Sequence, residues 1–90
     1  GVLSLQPPAP NPAVAAGASV TLTGTVRGVH GVVVQERTPG TPWKQFKSIA
    51  PTPANGAFQL VVRPTVTTDY RLVTTQDAAA FVRIRVAPSG

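Results

Sequence analysis

Two runs of alternating side chains, joined by a corner that no sheet interior tolerates, occupy residues 56–75. Phe58, Leu60 and Val62 alternate with Ala57, Gln59 and Arg63, and Tyr70 and Leu72 alternate with Asp69 and Arg71. A period of two sends successive side chains to opposite faces of a strand, so each run predicts one buried and one solvated face. Between them, Pro64 and the threonine-rich residues 65–69 end the first strand, because proline has no N–H to give to a ladder. Tyr70 begins the second strand, placed to send its ring into the core while its hydroxyl bonds back to main chain near Val66 or Thr67.

The same alternation runs through most of the chain. Leu3 and Leu5 share a face of a short first strand over residues 2–6. Over residues 19–26, Val20, Leu22 and Val26 share one face with Gly24, and Thr21, Thr23 and Thr25 share the other. Threonine suits a solvated strand face, and that reading outweighs an ice-binding or glycan-contacting ladder. Val32 and Val34 face inward from residues 32–37, leaving Val33 outside; Val82, Ile84 and Val86 face inward from residues 81–86, with Arg83 and Arg85 outward.

Turn residues separate these strands at 28–31, 38–42 and 51–56, the last closed by Asn55-Gly56, a pair that tolerates positive φ. His30, the only histidine, falls in the first of these turns, where an exposed loop position is favoured over a catalytic or metal role. The prolines of residues 7–12 fix an extended segment, read as a stiff crossing from one sheet to the other in preference to a proline-rich ligand for a partner domain. Residues 43–49 break the pattern. Trp43 and Phe46 are three apart, so a regular strand points them to opposite faces and only a bulge brings both inward. One of the two is therefore a candidate for exposure, and a Trp43 that covers a sandwich edge is favoured over one that stacks on a sugar.

Ninety residues form one domain, 1–90, with a proline-rich crossing at 7–12 and a linker-like end at 87–90. No window carries a helical period, and residues 77–80 are too short to bury an amphipathic face. With no cysteine, neither disulfides nor a thiolate metal site contribute. No apolar run approaches the length of a membrane span, so no membrane insertion is expected. The absence of a signal peptide or initiator methionine points to a segment cut from a longer protein.

Six strands beginning near residues 19, 32, 43, 57, 69 and 81, preceded by the short first strand, predict an all-β, immunoglobulin-like antiparallel β-sandwich of about seven strands. Residues 16–26, residues 32–37 with Trp43, residues 55–58 and residues 67–72 also resemble bacterial immunoglobulin-like domains of secreted and cell-surface proteins. The resemblance covers most of residues 16–86 and implies an extracytoplasmic location, often in a series of such domains. Where antibody-type domains place a disulfide against a tryptophan, this chain offers Leu22, Leu72 and Val34, so apolar contact alone pins the core. A second resemblance, to transthyretin-like and collagen-adhesin-like repeats, rests on a Gly-Thr-Val opening and a Gly-x-Phe strand; Trp43 and residues 68–71 favour the first.

Function follows the scarcity of acids. Glu36, Asp69 and Asp77 are the only carboxylate side chains, and they supply neither a general acid–base pair nor a base and orienting acid beside a nucleophile, so no enzyme and no cofactor are expected. An internal lysine–asparagine cross-link is disfavoured, since Lys44 and Lys47 lie on the Trp43 strand and Asn55 in a turn. The formal charge of +5 suits an anionic partner. Its sharpest placement is a basic face in which Arg71, Arg83 and Arg85 point outward on one sheet, with Arg37 and Lys44 beside them, against a neutral threonine face opposite.

The candidate partners are neighbouring domains of the parent chain and an anionic wall polymer, glycan or protein. A merely solvated face is the competing reading. Nucleic acid is not expected, because no series of aromatics is interleaved with the arginines. The sequence thus predicts a monomeric, non-catalytic module of a larger secreted or cell-surface bacterial protein, acting as spacer or as adhesion and interaction domain. The alternatives are a carbohydrate-binding module using Trp43 and a transthyretin-like accessory domain of an enzyme.

Overall fold

The computed structural model describes residues 1–49 and 56–88. Seven strands form, β1 (Val2–Gln6), β2 (Val20–Arg27), β3 (Val33–Arg37), β4 (Lys44–Ser48), β5 (Ala57–Val62), β6 (Thr68–Val73) and β7 (Val82–Ile84). They make two antiparallel sheets, one in the order β1-β2-β5 and one in the order β4-β3-β6-β7. This is a β-sandwich of immunoglobulin type in which the fourth strand joins the sheet of the third rather than pairing with the fifth.

The inward sets are those that alternation marks. Leu22, Val34, Leu72 and Ile84 are completely buried and Val20, Val26, Leu60, Val62 and Val82 nearly so, giving one core shared by both sheets. Burial of each leucine contributes about 2 kcal/mol. Val86 is half-buried past the end of β7, where it pairs with Val14. Gly24 lies on the inward side of β2 because no larger residue fits there: a Cβ would meet the Phe58 ring at 2.5 Å and the Ser4 carbonyl oxygen at 2.7 Å. The ring of Phe58 therefore lies across the backbone of its cross-strand partner.

After β1, the proline-rich segment carries the chain from the three-stranded sheet to Val14, whose N–H donates to the Arg85 carbonyl at 2.9 Å and whose carbonyl accepts from Ala87 N–H at 2.8 Å. At the corner between β5 and β6, the Tyr70 hydroxyl meets the Thr68 side chain in place of the main chain near Val66 or Thr67. The Thr68 hydroxyl donates to the Val66 carbonyl at 2.7 Å, and the Thr67 hydroxyl accepts from Val86 N–H at 3.1 Å. Two threonines hold the corner, and Tyr70 contributes its ring, 2% exposed, to the core.

Trp43 and Phe46 go to opposite sides of the four-stranded sheet, as a regular strand requires. The register between β3 and β4 does shift, at Val34/Gln35, and leaves Phe46 without a cross-strand partner, but this does not bring Trp43 inward. Phe46 meets Tyr70 edge-on at 5.8 Å, while Trp43 meets Phe81 at 6.1 Å. Asn55 lies outside the described residues, as do Ser89 and Gly90.

Candidate functional site

The outer face of the four-stranded sheet carries the densest set of chemically capable side chains. Antiparallel register aligns Arg37, Asp69 and Arg83 across β3, β6 and β7, and sets Gln35 opposite Arg71 one row away. Arg37 Nε donates to Asp69 Oδ2 at 3.0 Å, Arg83 Nε to Asp69 Oδ1 at 2.8 Å and Arg83 Nη2 to Oδ2 at 3.2 Å. Arg71 Nε donates to Gln35 Oε1 at 2.8 Å. Asp69 thus accepts three charge-assisted bonds, the strong class of protein hydrogen bond.

Aromatic rings close over this polar row. The Arg37 guanidinium carbon sits 4.2 Å from the Trp43 ring centroid and 5.0 Å from that of Phe81. Arg71 lies 4.3 Å from Trp43, and Arg83 lies 5.6 Å from Phe81. Each such contact is worth about 0.5–1 kcal/mol at an exposed site. Under this cover, the Asp69 side chain is fully buried although it belongs to the outward set of β6, which alternation alone assigns to solvent. Burial pushes its carboxyl up, but the hydrogen bonds and charges of Arg83 and Arg37 more than reverse that and hold it below the ordinary 3.8. The same hydrogen bond raises Arg83 above its ordinary value.

The five cations expected on one face are divided by this geometry. Arg37, Arg71 and Arg83 do share the outer face, but three arginines against Asp69 leave two net charges there. Arg85 reaches past the end of β7 and donates to the Asn11 carbonyl at 2.8 Å. Lys44 is not part of that face: its cross-strand partner is Glu36, which belongs to the inward set, and its ammonium lies 3.9 Å from the Glu36 carboxylate. A one-residue change of position along a strand reverses the face, and Lys44 is one residue from Trp43. Trp43 itself is half-buried, with two guanidinium groups over the ring surface on which a sugar would stack.

Among the described residues there is no group of three or more histidine, cysteine or acidic side chains that could hold a metal ion. His30 is exposed. Asp69 and Phe81 were not marked as site residues by sequence; the signal that could have found them is an acid in mid-strand flanked, on neighbouring strands, by arginines of matching parity. Comparison with family models, with curated proteins and with solved structures finds no match to this chain.

Proposed function

We propose that the chain is a non-catalytic, immunoglobulin-like module of a larger secreted or cell-surface bacterial protein, serving as spacer and interaction domain. The observation that carries this reading is where the chain enters and leaves. Val2 pairs with Arg27 at one end of the three-stranded sheet, whereas Val86 bonds to Thr67 beside the corner at the other end. The chain therefore enters and leaves at opposite ends of the strands, which suits head-to-tail connection to neighbours. The polar groups of the outer face are mostly spent on one another, which favours a structural surface over a catalytic one. The covering of Trp43 by Arg37 and Arg71 weighs against sugar stacking.

The interaction part of the proposal rests on Arg71 and Arg85, which among the described residues bond to Gln35 and to the Asn11 carbonyl but to no acid. An anionic polymer would meet Arg71 on the outer face of the four-stranded sheet and Arg85 past the end of β7. Retention on immobilised heparin against a salt gradient tests this, because contacts between exposed charges weaken with ionic strength. Arg71→Gln combined with Arg85→Gln should elute at clearly lower salt than Arg27→Gln combined with Lys47→Gln, which removes the same charge elsewhere, with all proteins folded by thermal melt. Equal elution of the two double variants would mean that net charge alone is read, and this face would lose its role.

A further inference from the structure

The other side of the four-stranded sheet, where β4 stands beside the corner between β5 and β6, holds a cleft of about 540 Å3. Clefts of a few hundred to a thousand Å3 are the size that takes a small organic ligand. Pro42, Lys44 and Phe46 line it from one segment, Arg63 and Val66 from another, and Tyr70 joins them from β6. Phe46 and Val66 are 41% and 54% exposed, so two large apolar groups that folding leaves in water lie in one hollow. The edge contact of Phe46 with the buried Tyr70 ring fixes its position without covering it.

The charges lining this hollow are unequal. Arg63 has no ion pair or hydrogen bond to any described residue. Lys44 reaches Glu36 only at 3.9 Å and keeps 75% of its side chain in solvent. Arg37 also borders the cleft, but its Nε is committed to Asp69. Glu36 is the single acid in the lining. Burial, and then the negative charge of Glu36, push the Tyr70 phenol up to about 12, so the ring side of the cleft stays neutral at ordinary pH.

We infer that this cleft binds a small aromatic carboxylate, its ring packed on Phe46 and Val66 and its carboxylate met by Arg63 and Lys44. The pairing matches an apolar floor with cations that the fold leaves available, and arginine's planar fork suits a carboxylate in particular. The site shares Arg37 with the Arg37–Trp43–Arg71 stack, whose indole ring lies on the opposite side of the sheet, but it includes neither Trp43 nor Arg71 and does not depend on the polyanion contact proposed above.

Titration of the isotope-labelled protein with phenylacetate, followed by amide and indole chemical shifts, tests the inference. Saturable shifts should fall on residues 42–46 and 63–66, with the Trp43 indole N–H unmoved. Phenylacetamide, which keeps the ring and loses the charge, should bind about tenfold more weakly, as should phenylacetate to Arg63→Gln. Acetate, which lacks the ring, should give no saturable shift, and Phe46→Ala should weaken phenylacetate binding as Arg63→Gln does. Both substitutions are at exposed positions, and a melt confirms the fold. Absence of saturation, shifts centred on the Trp43 indole N–H, or equal affinity for the carboxylate and the amide would overturn the assignment.

Discussion

An aspartate inside a strand runs against propensity, since short polar side chains compete with the ladder for the backbone. Asp69 is accommodated because Arg37 and Arg83 reach it from both neighbouring strands and satisfy both of its oxygens. Its parity was legible in the sequence, but its burial was not. A period of two gives the face a side chain takes, whereas the cover on that face comes from long side chains of strands distant in sequence. The Arg37 and Arg83 side chains remain 24% and 44% exposed, so they recover some hydration if the acid is lost, and the cost of Asp69→Asn belongs near the lower end for charged hydrogen bonds, about 2 kcal/mol. Because the folded carboxyl is held below 3.8, its contribution is complete above that pH and disappears as pH falls through the lowered value. Thermal melts from neutral pH down to about pH 2 should show the parent losing stability faster than Asp69→Asn in the acid window. Parallel curves would mean that the charge on Asp69 does not stabilise the fold.

Strand β4 is the element whose place depends most on side chains. All five of its residues are exposed, and it carries a register irregularity, so ladder hydrogen bonds to β3 are supplemented by little burial. Trp43, immediately before it, is clamped by guanidinium groups from β3 and β6 and meets Phe81 ahead of β7. The sequence favoured Trp43 as the cover of a sandwich edge; in the structure it lies against Arg37 and Arg71 on the outer face of the four-stranded sheet. Setting Arg37 and Lys44 beside Arg71 and Arg83 anticipated that the strand joins the β3 sheet, although a fourth strand of this class can pair with either sheet and alternation is silent on partners. The short turn at residues 38–41, in which Thr41 N–H donates to the Thr38 carbonyl at 3.0 Å, returns the chain beside β3 and decides the matter. Trp43→Ala removes two cation–π contacts and a ring contact, a loss of about 2–3 kcal/mol. Amide exchange should speed up most at residues 44–48 while β2 and β6 keep their protection relative to one another. A uniform loss across all strands would show that Trp43 stabilises the whole sandwich and not this edge in particular.

At the scale of the molecule, connectivity and shape bear on the same question. Seven strands in two sheets could be anticipated from the spacing of alternating runs, since each run must find a second layer to cover its apolar face. The end of the strands at which the chain leaves could not, because it depends on how the strands are ordered in the two sheets. In the folded molecule, β1 begins at the end where β2 finishes, and Val86 lies at the end where β6 begins. A domain built this way transmits its full length when linked in series. A fusion of two copies, with the second following Pro88 of the first through a short linker, should then scatter with a maximum dimension well above the 45 Å of one copy. A domain whose ends lay together would instead fold back, bringing the two bodies side by side and keeping the dimension near that of one copy. The extended value would support a spacer role for this fold, and the compact one would remove the geometric reason for it.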